Sequence, residues 1–153
     1  IIFYILTIFI LLFIWSNSMD DPVTSYSKSD KVLKFVSKIL THVLGNDHYI
    51  TLFYISHVRK IAHFTEYMVL GCVMTAGMKI ADKTKIQHFY NSLSFSVIAA
   101  VIDEYIQIYS GRGSSIKDVI IDFSGYLTGT MLTVIIICII IIVKMMKKDD
   151  RQY

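Results

Sequence analysis

The chain has 153 residues, of which 54% are hydrophobic and 18% charged, with a formal net charge of +3. An average soluble domain carries about 25% charged residues, so this composition points away from one and toward an integral membrane protein. One domain fits the length, and no basic patch interleaved with aromatics suggests a nucleic-acid partner.

The run IIFYILTIFILLFIW, residues 1–15, is the first predicted transmembrane helix. A bilayer core of ~30 Å takes roughly 20 helical residues, so a few residues are expected to precede it. No small-x-small pattern follows, which favours a retained helix over a cleaved signal peptide. The stretch SNSMDDPVTSYSKSD holds the only proline and reads as loop.

Residues 31–44, KVLKFVSKILTHVL, place Val32, Leu33, Phe35, Val36, Ile39, Leu40, Val43 and Leu44 at helical spacing, with Lys31, Lys34 and Lys38 on the other side. That pattern predicts an amphipathic helix lying at a membrane surface, too polar to span. Ser29 or Asp30 would cap its start and Gly45-Asn46 would end it. A solvated helix packed on the protein is the plainer reading of the same pattern.

Three further spans are predicted over residues 57–78, 89–109 and 116–143. They are joined by a hydrophilic 79–88 loop and the SGRGSS turn, and followed by the tail KMMKKDDRQY. Lysines at 79, 83 and 85 and the basic tail put that loop and both termini in the cytoplasm, although Lys28, Lys31, Lys34 and Lys38 weigh against it. The expected fold is therefore all-α: a four-helix integral membrane bundle of one domain, 1–153, with an amphipathic helix in its first extracytoplasmic loop. Cys72 and Cys138 fall in apolar runs and read as small apolar residues rather than a disulfide or metal pair.

Ionised groups at bilayer depth cost at least ~2.5–3.5 kcal/mol each, so those in the spans must face one another, water or a ligand. Arg59, His63, Glu66 and Tyr67 share a stripe of the second span. Asp103 and Gln107 share one of the third, with Glu104 beside them; Asp118, Asp122, Gly125 and Gly129 share one of the fourth. Glu66 lies about 10 Å below Arg59 and Asp122 a similar depth below the turn, so all three stripes reach one leaflet. On an ideal helix Glu104 points about 100° away from Asp103, so one would meet the second span and the other the fourth.

This inventory suits acid/base work by His63, Glu66, Asp103 and Glu104. Arg59, Tyr67, Gln107, Arg112, Asp118 and Asp122 are candidate ligand contacts. A His with a carboxylate at i+3, His63 with Glu66, is one arrangement for a general base. The same charges can instead knit three helices together. His63, Glu66, Asp103, Asp118 and Asp122 could all ligate a metal, but with one histidine in the cluster a zinc site is not expected, and the reading includes no metal or cofactor. Ser110, Ser114, Ser115 and Ser124 are near but sit in no nucleophile motif. Gly125 and Gly129, with Gly71, read as close helix packing.

The segments RKIAHFTEYMVLG and DEYIQIYSGRGSSIKDVIIDFSGYLTG, with FIWSNS after the first helix, resemble the VanZ-like family of bacterial membrane proteins over residues ~5–140. Its polar positions fall on Arg59, Lys60, His63, Glu66, Tyr67, Asp103, Glu104, Gln107, Arg112, Asp118 and Asp122; at Asp122 the family often has Asn. The resemblance implies a multi-pass protein of the bacterial cell membrane whose founding relative is tied to low-level resistance to the lipid-tailed glycopeptide teicoplanin. It implies no reaction. The partners expected are the lipid bilayer and an envelope lipid or lipoglycopeptide. Three readings stay open: binding of an amphiphile or anionic headgroup, acid/base hydrolysis or transfer on a lipid-linked substrate, and a structural scaffold.

Overall fold

The computed structural model describes residues 2–44, 48–82 and 85–149. Within that range the side chains of residues 33, 36, 37, 39–44, 48–56, 148 and 149 lie outside the description. Among the described residues the chain is all-helical: α1 (Ile2–Ser18), α2 (Pro22–Leu44), α3 (His48–Ile80), α4 (Ile86–Tyr109) and α5 (Ile116–Asp149).

Several boundaries differ from those the sequence suggests. The supposed loop after α1 is mostly helix, because Asp21 and Pro22 form a start signal. Asp21 Oδ1 accepts the backbone N–H groups of Val23 (2.9 Å) and Thr24 (3.1 Å), and its Oδ2 accepts the Thr24 hydroxyl at 2.7 Å. Proline is at home in the first helical position, where its missing N–H costs nothing. The cap expected at Ser29 or Asp30 is therefore displaced to Asp21, and α2 begins nine residues before 31. Its expected end at Gly45-Asn46, and much of its expected apolar face, lie outside the described residues. Backbone helix also replaces expected loop at 48–56 and expected tail at 144–149.

One described helix segment, Ile116–Lys147, is long and apolar enough to cross a membrane alone. The segments Ile2–Ser18 and Pro22–Val32 pass the same test only together, across a 112° bend. A bundle of four spans is thus a reading of the sequence that length and composition of the helices bear out for α5 alone. α1 has 17 residues.

The contacts fix the helix directions. Thr7 Oγ1 donates to Met74 Sδ (3.4 Å) and Asn17 Nδ2 to Glu66 Oε1 (2.9 Å), so α1 and α3 are antiparallel. The main interface is α3 on α5, and it is backbone on backbone. A Cβ at Gly125 would strike the Phe64 carbonyl, one at Gly129 the Met68 carbonyl, and one at Gly71 the Tyr126 carbonyl. The expected small-residue seam is present, and its register makes α3 and α5 parallel. Ser110 Oγ donates to the Ser18 carbonyl (2.8 Å), which sets the end of α4 beside the end of α1.

Polarity is arranged inside out. Leu11, Ile14, Tyr67, Leu70, Ala99, Ala100 and Tyr126 form the apolar core, yet Asp103, Glu104, Gln107 and Asp122 are buried with them. Meanwhile Ile5, Ile8, Phe9 and Leu12 of α1, Ile98 and Val101 of α4, and Ile135, Ile136, Ile139 and Ile142 of α5 face outward. So many large apolar side chains exposed together would be an aggregation liability in water.

Candidate functional site

These directions bring the end of α1, the middle of α3, the end of α4 and the start of α5 to one end of the bundle. The polar stripes meet there. His63 Nδ1 lies 3.2 Å from Asp103 Oδ2 and 3.7 Å from Asp122 Oδ1. Both carboxylates are essentially inaccessible, at 0% and 1% exposure.

The acids side by side on α4 divide their work. Asp103 turns to α3 and His63. Glu104 turns to α5, where its Oε2 accepts the Ser115 backbone N–H at 2.8 Å, just ahead of the first turn. Gln107 holds both, donating to Glu104 Oε1 at 2.9 Å and to Asp103 Oδ2 at 3.3 Å. A negative side chain at a helix N-terminus is favourable because the first N–H groups lack helical partners.

Glu66 is not His63's hydrogen-bonding partner, as the i+3 spacing suggested. It takes the Asn17 amide from α1, and His63 is flanked by Asp103 and Asp122 instead. Lys60 Nζ pairs with Asp118 Oδ1 at 3.2 Å. Arg59 is exposed at the rim, its guanidinium 5.2 Å from the centre of the Tyr26 ring on α2. Tyr67 is fully buried with its hydroxyl unpartnered.

A tight turn carries Arg112 back to the cluster. Gly111 adopts φ +74°, a left-handed conformation that glycine takes without strain. The Gly111 N–H then donates to the Ile108 carbonyl (3.1 Å) and the Arg112 N–H to the Gln107 carbonyl (3.0 Å). That pair of bonds is the Schellman ending of a helix. Arg112 Nη1 reaches the Asn17 carbonyl at 3.3 Å, while its Nε is buried without a partner. Burial, then the nearby Arg59 charge, pulls the Arg112 guanidinium below its ordinary pKa.

Two cavities open onto the cluster. The larger, of about 460 Å³, lies among α1, α2, α3 and the turn; its walls include Asn17, Lys28, Lys31, Arg59, His63, Glu66 and Arg112. The smaller, of about 60 Å³, lies toward α5 and is bordered by Lys60, Glu104, Gln107, Asp118 and Asp122. Arg59, His63 and Arg112 border both.

The ten residues singled out from the sequence thus gather at one end of the bundle, with Arg59 at its edge. Sequence reasoning missed Asn17, Tyr26, Lys28 and Lys31. The polar triplet Ser16-Asn17-Ser18 directly after an apolar run was the available signal for Asn17. The serines are occupied locally: Ser110 Oγ donates to the Ser18 and Gln107 carbonyls and Ser124 Oγ to that of Ile121. Both cysteines are free thiols, Cys72 donating to the Gly129 carbonyl at 3.4 Å.

A family model described as VanZ/LLP1 matches residues 1–141. Neither the curated proteins nor the solved structures include a match to the chain.

Proposed function

The chain belongs to the VanZ/LLP1 family, and on that premise we propose that it is a multi-pass membrane protein that captures the anionic headgroup of an amphiphile in the 460 Å³ chamber. The observation that carries this reading is the chamber wall itself. Lys31, Arg59 and Arg112 line the chamber together with His63, Glu66 and the Lys28–Asp20 ion pair. Its volume falls within the ~300–1,000 Å³ of small-molecule sites. Guanidinium groups match phosphate and carboxylate geometry. The unpartnered Arg112 Nε and the mutual repulsion of Arg59 and Arg112 both favour an anion between them.

A membrane setting supplies what the exterior lacks. Hydrocarbon is the matching solvent for the outward isoleucines of α5, α4 and α1. In this setting α2, which leaves α1 at 112°, would lie along the interface with Lys28 and Lys31 at headgroup level. The positive residues of the 79–88 segment and the tail favour the cytoplasm for both termini. The chamber would then face outward, where an envelope lipid or a lipid-tailed glycopeptide such as teicoplanin would meet it.

Native mass spectrometry of the purified protein with phosphatidylglycerol or phosphatidylcholine tests the reading. We expect preferential retention of phosphatidylglycerol, lost in the Arg59→Ala, Arg112→Ala double variant. Equal retention of the two lipids by the unaltered chain would refute it. In cells, Ala at Glu66, Asp103 and Arg112 is expected to abolish any effect on teicoplanin susceptibility at unchanged expression.

A second reading, acid/base transfer or hydrolysis on a lipid-linked substrate, is favoured by one observation. His63 has buried carboxylate oxygens 3.2 and 3.7 Å away, the setting of an oriented imidazole base. Turnover of a lipid by the unaltered protein and not by His63→Gln, in a mass-spectrometric screen, would establish it.

A further inference from the structure

The centre of the cluster holds more unspent acceptor capacity than helix packing uses. Asp103 Oδ1, both oxygens of Asp122 and His63 Nδ1 are buried without a hydrogen-bond partner. These are not solvent-screened surface acids, since Asp103 and Asp122 are 0% and 1% exposed. Leaving a buried acceptor unpaired is costly, and more so when it is charged. Something positive belongs among them.

A proton on His63 meets only part of this need. Nδ1 is 3.2 Å from Asp103 Oδ2 and 3.7 Å from Asp122 Oδ1, so a proton there leaves Asp103 Oδ1 and Asp122 Oδ2 unaddressed. A cation placed between the three side chains would face all of them at once. One ligand atom from each of His63, Asp103 and Asp122 can be chosen so that all lie within 4.8 Å of one another. Metal–ligand bonds of roughly 2.1 Å put atoms on opposite sides of an ion about 4.2 Å apart, so the set closes on an ion with sub-ångström adjustment.

The neighbouring cations do not neutralise these groups. Lys60 is engaged with Asp118. Arg112 reaches a main-chain carbonyl of α1, and Arg59 sits against Tyr26 at the rim. Glu104 is occupied by Gln107 and Ser115. The acceptor oxygens left without a partner at the centre therefore belong to Asp103 and Asp122.

We propose that His63, Asp103 and Asp122, from α3, α4 and α5, form a binding site for one divalent metal ion, with Mn²⁺ as the best-matched probe. Two carboxylates and one imidazole are the donor mixture. Carboxylate oxygens, two of the three donors, suit Mn²⁺, and its unpaired electrons report binding directly; structural zinc sites favour nitrogen and sulfur. Three protein ligands leave positions for water or an anionic oxygen. His63 borders the large chamber, so a captured headgroup could supply one. That last link rests on the headgroup reading; the metal site does not.

The test uses the full chain in neutral maltoside, freed of metal and without added lipid, so its outcome is independent of phosphatidylglycerol retention. Mn²⁺ alone is titrated, and the free-ion electron paramagnetic resonance signal is followed. We expect saturation at one ion per chain, with nuclear modulation from one imidazole nitrogen in the spin echo. Asp122→Asn is expected to weaken binding at least about tenfold, the lower end of what loss of even an outer partner costs. Asp30→Asn, which removes an exposed acid paired with Lys34 on α2, is expected to change it less than about threefold. Absence of saturable binding in the unaltered chain, absence of the nitrogen modulation, or equal losses in the two variants would overturn the proposal. The first two readouts need no variant to fold.

Discussion

Gly129→Ala tests the geometry on which the whole site depends. Helix propensity alone favours alanine by about 1 kcal/mol in a helix interior. Packing opposes it. The new methyl carbon would lie 2.8 Å from the Met68 carbonyl carbon and 3.1 Å from the Cys72 nitrogen, and closer still to the Met68 carbonyl oxygen. Comfortable carbon contacts are about 3.5–4.0 Å, so α3 and α5 must separate by roughly 1 Å at this level. All three obstructing atoms are backbone, so no side-chain rotation relieves them. Overpacking costs ~1–3 kcal/mol, and rigid backbone on both sides places this case at the upper end. The net expectation is destabilisation by about 2 kcal/mol. Asp122 lies on the same stripe, so its 3.7 Å approach to His63 should widen as well. Denaturation in mixed maltoside–dodecyl sulfate micelles reads the stability. Gly113→Ala is the control, because nothing lies within 4 Å of its Cβ, and it should stay within ~0.5 kcal/mol of the unaltered protein. If Gly129→Ala instead stabilises the protein by the propensity term, the close α3–α5 seam is wrong.

Other expectations follow from single contacts. Asn17→Ala removes the amide that Glu66 accepts at 2.9 Å; it should cost about 1–2 kcal/mol in the same denaturation assay. Tyr67→Phe deletes a buried hydroxyl with no partner, so stability should be unchanged or rise by up to about 1 kcal/mol. A clear loss of stability would show that the phenol is satisfied by a bound group. The Thr24 and Val23 hydrogen bonds hold the Asp21 carboxyl below its ordinary pKa. A depressed folded-state pKa means that its cap stabilises above the unfolded value of about 3.9 and fades as pH falls through the folded one. Circular dichroism should show the junction of α1 and α2 loosening in that acid range, and Asp21→Asn, a neutral cap, should flatten the dependence.

The polar cluster was legible because helical periodicity alone put Arg59, His63, Glu66 and Tyr67 on one stripe and Asp118 and Asp122 on another. Burial cost then required the stripes to meet. Which groups pair was not legible. His63 faces Asp103 and Asp122 instead of Glu66 because backbone contact at Gly125 and Gly129 rotates α5 against α3, and no local spacing encodes that rotation. Asn17 escaped notice because its partner lies 49 residues away. Pro22 misled for a local reason: proline and serines read as loop until Asp21 is recognised as the cap that makes proline a good first residue of a helix. The family resemblance agreed with the VanZ/LLP1 match over 1–141, while membrane spans beyond α5 rest on the sequence pattern and the outward apolar faces.

The turn after α4 has one more consequence. Main-chain bonds from Gly111 and Arg112 to Ile108 and Gln107 shape it, so the fold of that corner does not ask for a guanidinium. The position works as a socket whose fitting can be exchanged. Arg112→Glu should leave the corner intact and reverse the sign of charge at the chamber mouth. On the proposed headgroup reading, preference among amphiphiles would then be retuned by a single codon, while the scaffold that presents the chamber stays as it is.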